Sequence, residues 1–280
     1  TLPNDGESVK QTLPGTPTNT KCYVGCSKWG RKEWLGMIYP DLTKEMDFLE
    51  EYAKHFECIE LNAVFYSIPN ADLLKKWYKK IDRPGFLFFP KMSRTITHIK
   101  RLEDVSLPFN MFMGAIKELK EYLGPMLIQV GDNFPPKSID DLKTFIELLP
   151  KDEKFFIELR HEEFFTDRKE VLELFIDNNI GWAITDASGR RDVLHMELTI
   201  PEIYIRFIGN GTHYRQSDYD RVDEWVQRLR EWSDKGLKTI YFIVHQHDDH
   251  DTPILADYVI KQFNEHLGST IPSLKFIEPR

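Results

Sequence analysis

The sequence predicts a single-domain α/β fold, a (β/α)8 TIM barrel, and three observations support this prediction. Eight short apolar stretches typical of buried strands recur along the 280 residues. Seven of them are followed by a segment with the apolar spacing of a helix, the alternation of a parallel sheet covered on both faces. No change in composition marks a linker, and the Gly-rich signatures of an open nucleotide-binding sheet are absent.

Each unit is justified by its strand pattern and by the signals at its helix ends. The predicted strands cover residues 22–27, 58–62, 86–91, 126–130, 155–159, 182–186, 203–208 and 240–244. Helices are indicated by caps at Thr43, Asn70, Ser138 and Thr252, by stops at Gly124 and Gly268, and by apolar spacing around 111–123, 171–175 and 222–232. The sixth unit is irregular, because residues 187–201 carry no helical pattern.

The two ends of the chain differ from the barrel in composition. Residues 1–20 are rich in Pro, Thr, Gly and Asn without apolar periodicity, so we expect a disordered or draped tail. The barrel domain is expected over residues 21–268, with a C-terminal tail over 269–280.

Charge and cysteine content narrow the class of protein. The net charge of −8 disfavours a general nucleic-acid binder, whose affinity comes from many contacts between basic residues and phosphates. Three cysteines are few and odd in number, as expected for reduced thiols. No apolar run reaches the roughly 18 residues of a membrane span, and the N-terminus has no signal-peptide pattern. We therefore expect a cytoplasmic protein without a membrane partner.

The fifth strand indicates which residues face the barrel interior. Because side chains alternate along a strand, Glu158 and Arg160 share a face with Phe156. If that face is inward, the same alternation places a polar residue at the last inward position of each of the seven remaining strands. These residues are Ser27, Glu60 with Asn62, Lys91, Gln129, Asp186, Arg206 and His245. A slip of one residue would reverse the assignment of a strand.

Two interpretations of this polar ring compete. One is a structural ion-pair network that closes the top of the barrel. The other, which we favour, is a pocket for a small anionic ligand containing phosphate or sugar, since Arg and Lys hold such groups and active sites of TIM barrels lie at these strand ends. The predicted ligand-binding residues are Lys91, Arg160, Arg206, Asn62, Gln129, Ser27, Trp29, Tyr66, Thr97, His98 and Tyr214. The predicted acid–base residues are Glu158, Glu60, Asp186 and His161, the last on the rim.

A metal is the alternative basis for chemistry at this site. His245 and His247 lie two apart at a strand end and could face one Zn, Mn or Fe ion, with Glu158, Glu60 or Asp186 completing the ligand set. The competing interpretation is a solvated, metal-free polar loop, because a His-rich tract is a compositional signal alone.

Four motifs resemble one known family. They are residues 25–29 with Trp34, residues 60–66, residues 94–98 following Lys91, and residues 158–161. In this order they resemble the YecE-like family of bacterial and archaeal proteins, which is classed as a domain of unknown function. The resemblance implies a TIM barrel with these motifs at its C-terminal face, and it implies no reaction. The family usually has asparagines at the end of the last strand, where this chain has His245-Gln246-His247, so a histidine metal site would be particular to this chain.

Three function classes remain open from the sequence. The first is a hydrolase or isomerase, acid–base or metal-assisted, acting on a small phosphate- or sugar-containing substrate. The second is a non-catalytic ligand- or partner-binding barrel with an aromatic contact surface. The third is a nucleic-acid phosphodiesterase of the endonuclease IV kind, disfavoured by net charge, whose basic groove would consist of Lys28, Arg31, Lys32, Arg94, Arg190 and Arg191.

Overall fold

The strands are parallel and close into a barrel built from two arcs. The computed structural model describes residues 1–247 and 249–278. Its strands are β1 (Lys21–Cys26), β2 (Cys58–Leu61), β3 (Leu87–Pro90), β4 (Met126–Gln129), β5 (Phe155–Glu158), β6 (Gly181–Trp182), β7 (Ile184–Ala187), β8 (Glu202–Gly209) and β9 (Thr239–Gln246). A long arc has the strand order β3-β2-β1-β9-β8-β7, and a short arc has the order β4-β5-β6. All eight predicted strands are confirmed, with β6 and β7 as the two halves of the sixth.

The helices cover the outside of the barrel. They are α1 (Glu7–Thr12), α2 (Phe48–His55), α3 (Ala71–Lys80), α4 (Ser106–Ile116), α5 (Ile139–Glu147), α6 (Lys169–Asp177), α7 (Arg215–Asp234) and α8 (Thr252–His266). Asn70 caps α3 as predicted, since its side chain accepts a hydrogen bond from the Asp72 amide at 2.7 Å. None of the helices in the described ranges is long and apolar enough to cross a bilayer.

The predicted helix start at Thr43 is wrong, and the predicted cap at Ser138 stands at the start of its helix without making a capping bond. Thr43 lies ahead of a 3-10 turn, and α2 begins only at Phe48. Ser138 ends another 3-10 turn before α5, and its side chain makes no capping hydrogen bond. In both places carbonyl groups of the 3-10 turn accept hydrogen bonds from the first backbone amides of the helix, so a side-chain cap is not required.

A layer of buried aromatic and aliphatic side chains fills the lower half of the barrel interior. It consists of Tyr23, Cys58, Phe89, Leu127, Phe156, Ala183, Ile200, Tyr204, Tyr241 and Ile243. Tyr23 stacks on Tyr241 with ring centroids 5.5 Å apart, and Phe89 meets Tyr241 edge-on at 5.2 Å. This aromatic layer is a closed floor, so any cavity must lie above it at the carboxyl ends of the strands.

The sixth unit is irregular, as predicted. Ala183 separates β6 from β7, and no α-helix lies between β7 and β8, where a 3-10 turn and an extended segment, 194–201, connect them. The N-terminal segment 1–20, expected to be disordered or draped, carries α1 and packs on this extended segment. Ser8 Oγ donates to Glu197 Oε2 at 2.6 Å, and Thr12 Oγ1 donates to the Leu198 carbonyl at 2.6 Å. The chain thus covers the gap with its own N-terminus.

Candidate functional site

A polar layer lies directly above the aromatic floor. Because inward positions recur every second residue, each polar residue two positions after a floor residue also faces inward. Cys58 is followed in this way by Glu60, Phe89 by Lys91, Leu127 by Gln129, Phe156 by Glu158, Tyr204 by Arg206 and Ile243 by His245. The structure places these predicted residues, together with the buried Ser27 after β1, at the predicted end of the barrel.

The sixth strand is the exception, and the inward placement of Asp186 is wrong. The inward residue is Thr185, which pairs with Arg206 of β8. Asp186 points outward to α7, where Trp225 Nε1 donates to its Oδ2 at 2.6 Å and Arg221 Nη2 donates to its Oδ1 at 2.7 Å. Arg191 donates a further bond at 2.6 Å. Asp186 therefore joins the sixth strand to a helix and does not reach the pocket in which it was assigned an acid–base role.

Because Asp186 points outward, its substitution should affect the stability of the fold. We expect Asp186→Asn to lower the free energy of unfolding by about 1–3 kcal/mol, because a buried carboxylate that accepts charge-assisted bonds is replaced by a neutral amide. Urea denaturation measures the loss, and Asp234→Asn at the exposed end of α7 is the control. Unchanged stability in Asp186→Asn would contradict the assignment.

Arg206 is the centre of a buried ion-pair network. Its Nε and Nη2 donate to the two oxygens of Glu60 at 3.0 and 2.9 Å, and its Nη1 donates to Glu158 Oε2 at 3.0 Å. Tyr204, from the floor, donates its hydroxyl to Glu60 Oε2 at 2.9 Å. Burial alone would raise the pKa of Glu60, but Arg206 and then His245 hold it well below its usual value. Glu60 is therefore an ionised counter-ion of Arg206.

Glu158 is held in the same way from the short arc. Gln129 Nε2 lies 3.0 Å from both carboxylate oxygens, and Arg160 Nη1 donates to Oε1 at 3.2 Å. Arg160 also donates to Asp132 Oδ1 at 3.1 Å. Burial raises the pKa of Glu158, while Arg206 and Arg160 more than offset this and leave it lowered. The structural ion-pair interpretation thus applies to Arg206 and Arg160, whose charges are already balanced by carboxylates.

Lys91 is different, because its charge has no carboxylate partner. In the described part of the chain its Nζ makes no ion pair or hydrogen bond, and it lies 4.1 Å from the centre of the Phe65 ring. The residue is only 8% exposed. Burial, reinforced by the Arg206 guanidinium, lowers the pKa of Lys91 to about 8, and the Glu60 and Glu158 carboxylates oppose this only in part.

A cavity of about 490 Å³ opens above Lys91. Its polar lining consists of Ser27, Asn62, Lys91, Arg206 and His245, its aromatic walls are Trp29, Phe65 and Tyr66, and Lys28 and Arg31 are its further basic residues. Sequence reasoning missed Phe65, although it is the neighbour of Tyr66 in the same loop. The signal was available, since two adjacent aromatic residues after a strand can both border a pocket.

Three buried polar atoms of the lining have no hydrogen-bond partner within residues 1–247 and 249–278. They are Arg31 Nε, Asn62 Oδ1 and His245 Nε2. The His245 nitrogen lies 3.4 Å from Glu60 Oε1, outside hydrogen-bond geometry. Burial and Arg206 lower the pKa of His245 from its usual value, so the imidazole is uncharged at neutral pH. Buried polar atoms normally have partners, so this lining is suited to a polar ligand.

The remaining predicted ligand and acid–base residues lie around the cavity without lining it. Thr97 Oγ1 and His98 Nδ1 are 2.7 Å apart in a π-helical turn, Thr95–Ile99, and the His98 ring meets Phe65 edge-on at 5.2 Å. His161 caps the turn after β5, where its Nδ1 accepts from the Glu163 amide at 3.4 Å. Tyr214 is 63% exposed in the loop after β8 and is not part of the lining.

The two predicted metal ligands differ in their surroundings. His245 faces the cavity, whereas His247 lies beyond the end of β9 and is exposed. Among the residues that the structure describes, no three His, Cys, Asp or Glu side chains form a group that could hold a metal ion. The predicted use of His245 and His247 as a metal pair is therefore not supported by their geometry.

Comparison with known proteins gives a family and a fold. A family model described as "Protein of unknown function DUF72" matches residues 23–275. The UPF0759 protein YecE of Escherichia coli O157:H7 is 26% identical over 273 residues, which cover 90% of this chain and 94% of that protein. The sequence resemblance to the YecE-like family is therefore confirmed.

Two solved structures share the architecture. The DUF72 family protein TM1631 of Thermotoga maritima MSB8 is 24% identical, with a TM-score of 0.71 over 88% of this chain and 99% of its own. The DUF72 family protein EF0366 of Enterococcus faecalis V583 is 18% identical, with a TM-score of 0.68 over 90% of this chain and 99% of its own. At these identities the similarity establishes the fold alone.

Proposed function

The chain belongs to the DUF72 family of proteins of unknown function, and we propose that it binds a small anionic, phosphate- or sugar-containing ligand in the cavity above Lys91. The observation that carries this proposal is the buried Lys91 ammonium without a carboxylate partner among the described residues. A buried charge is costly unless it is paired. Of the three cationic residues predicted to hold an anion, Lys91 is the one whose charge is still available to a ligand.

The walls of the cavity support a ligand with a ring. Trp29 packs edge-on against Trp77, with ring centroids 5.2 Å apart, and Phe65 packs edge-on against His98. Rigid aromatic faces pack on sugar or heterocyclic rings, while Asn62 Oδ1 and His245 Nε2 offer an acceptor and an imidazole nitrogen to ring substituents. The cavity volume lies within the range of small-molecule sites, roughly 300–1,000 Å³.

Any acid–base chemistry in this cavity is proposed for Lys91 and His245. Both line the cavity and both have lowered pKa values, whereas Glu60 and Glu158 are already paired with Arg206. A cytoplasmic location is part of the same proposal and is supported by three buried cysteines that are all free thiols.

The test of ligand binding is the pH dependence of phosphate affinity. We expect the affinity for inorganic phosphate to fall about tenfold per pH unit above pH 8, because Lys91 loses the proton that makes it a cation. Isothermal titration between pH 7 and 9.5 measures it. The charged or titratable groups around Lys91 are Arg206, Arg160, Glu60, Glu158, His98 and His245. The carboxylates are already ionised, both histidines are uncharged and both arginines stay charged, so Lys91 dominates this range.

Two variants make the assignment specific. Lys91→Met should lose at least tenfold in affinity at pH 7 and should show no fall above pH 8. Lys21→Met, at the opposite end of the barrel in β1, should bind as the wild type does. Phosphate binding that is absent, or that is unchanged in Lys91→Met, would refute the proposed site.

A further inference from the structure

We propose that Lys91 is a covalent nucleophile that forms an imine with the carbonyl carbon of an anionic aldehyde or ketone bound in this cavity. The proposal rests on the proposed function, since it names the substrate class of the same site. A lysine reacts in this way when a sufficient fraction of its amine is uncharged, when it is not held by a carboxylate, and when it borders a pocket that admits the carbonyl compound. The structure supplies each of these conditions for Lys91.

A second lysine of the same cavity shows that the conditions are not met by proximity alone. Lys28 also lines the cavity, but its side chain is 52% exposed and its Nζ lies 2.9 Å from Asp249 Oδ2. That ion pair holds the Lys28 Nζ against a carboxylate, so it is not available as a nucleophile. Lys91 lies beside the Phe65 ring, whereas Lys28 lies beside a carboxylate. Its position directly after β3 places Lys91 at the base of the cavity, above the aromatic layer.

The surroundings of Lys91 increase the fraction of its amine that is uncharged at neutral pH. Burial and the Arg206 guanidinium set its pKa at about 8, against the usual 10.5 of an exposed lysine. This difference corresponds to about 300 times more uncharged amine at pH 7. Arg206 cannot itself act as the nucleophile because it stays protonated and because its guanidinium is held by Glu60 and Glu158.

The reaction step is balanced without an oxidant or a reductant. The Nζ lone pair forms a bond to the carbonyl carbon, and the carbonyl π electrons move to oxygen, which takes up a proton. The nitrogen loses one proton to give a carbinolamine, whose hydroxyl group takes up a further proton and leaves as water while the nitrogen lone pair forms the C=N bond. The product is the protonated imine, and loss of its remaining N–H proton completes the conversion of amine and carbonyl to imine and water. His245, uncharged and with a buried Nε2 on the cavity, is the group placed to accept and return these protons.

The anionic group of the substrate has a second place to bind. The loop after β1 brings Lys28 and Arg31 to the same cavity, and both lie near Asp249, at 2.9 and 3.4 Å. Arg31 Nη2 also pairs with Glu33 Oε1 at 2.7 Å, so two carboxylates balance these two cations, and the donor left for an anion on this side is the buried Arg31 Nε, which has no hydrogen-bond partner among the described residues. A sugar phosphate in its open aldehyde or ketone form would place its carbonyl at Lys91 and its phosphate toward this loop. The protonated imine retains the positive charge of Lys91 beneath the aromatic walls.

The test is reductive trapping with glyceraldehyde 3-phosphate and cyanoborohydride on the full chain, followed by peptide mapping. We expect the adduct on Lys91 to form at least tenfold faster than on Lys28, to be suppressed by inorganic phosphate, and to form faster as the pH rises from 6 to 8. Lys91→Arg, which keeps a cation but has no primary amine, should bind phosphate and show no adduct at position 91. Lys21→Arg, at the opposite end of the barrel in β1, is the matched control and should label as the wild type does.

The outcomes separate this inference from the proposed function. Phosphate binding to the wild type with labelling spread evenly over exposed lysines would overturn the imine and leave anion binding intact. Absence of both phosphate binding and selective labelling would overturn both. The mapping on the wild-type chain decides the matter even where a Lys91 variant fails to fold.

Discussion

Replacement of Arg206 with methionine is expected to lower the free energy of unfolding by about 3–5 kcal/mol at pH 7, because buried Glu60 then loses its arginine counter-ion and buried Glu158 keeps only its pair with Arg160. Glu60 and Glu158 are each at most 1% exposed and cannot move to water. In the wild type their pKa values are lowered, so the stability they contribute is present above their unfolded pKa and is lost as the pH falls. Without Arg206, burial raises the pKa of Glu60 and is less fully offset at Glu158, so folding takes up protons and the penalty shrinks at lower pH.

The measurement is urea unfolding of Arg206→Met and wild type at pH 7 and pH 5. The difference in unfolding free energy should be smaller at pH 5 than at pH 7. Arg230→Met, on the exposed face of α7, is the control and should change stability by less than about 0.5 kcal/mol. A loss that is equal at both pH values would show that packing of the Arg206 side chain, rather than its charge, supports the fold.

Replacement of Lys91 with methionine is expected to have the opposite sign and to raise the free energy of unfolding by about 1–3 kcal/mol at pH 7. The folded protein binds the Lys91 proton less tightly than the unfolded chain does, since the pKa is about 8 instead of 10.5. A methionine removes this penalty and keeps a contact with the Phe65 ring through its sulfur. The gain would identify a residue retained at a cost to stability, as functional residues often are.

The sign follows from proton binding. Below pH 8 Lys91 is protonated in both states, and the wild type bears the full penalty. Between pH 8 and 10.5 the folded wild type has released the proton that the unfolded chain still holds, so its stability rises with pH and the difference from Lys91→Met narrows. Denaturation at pH 7 and pH 10 tests this, with Lys28→Met as the exposed control. A Lys91→Met protein that is less stable than the wild type at pH 7 would contradict the prediction.

Alternation of side chains explains how much of the site was predictable. A period of two is dictated by strand geometry, so Glu60, Lys91, Glu158 and Arg206 could be placed inward from the sequence. The same rule failed at Asp186, because the prediction assumed that a charged strand residue faces the pocket. An outward carboxylate is equally stable when a packed helix offers it a tryptophan N–H and an arginine, and those partners lie 35 residues or more away in the chain.

The availability of each charge was not predictable. Arg160, Arg206 and Lys91 are equivalent by residue type and by position on their strands, yet only the arginines reach carboxylates. Which cation is neutralised depends on distances across the barrel, and those depend on the size of the aromatic residues below. The packing of α1 on the sixth unit was missed for a similar reason, since a helix of six residues leaves almost no periodic signal.

The division of the barrel into two arcs separates two tasks between two sets of strands. Every residue that lines the cavity lies on or after a strand of the long arc, whereas the short arc contributes Gln129 and Glu158, which are linked to the cavity through Arg206. Substitutions in the short arc can therefore change how strongly Arg206 is neutralised, and with it the reactivity of Lys91, while the walls that recognise a ligand stay the same. Reactivity and recognition can thus be altered independently, which offers natural variation and protein engineering two separate starting points.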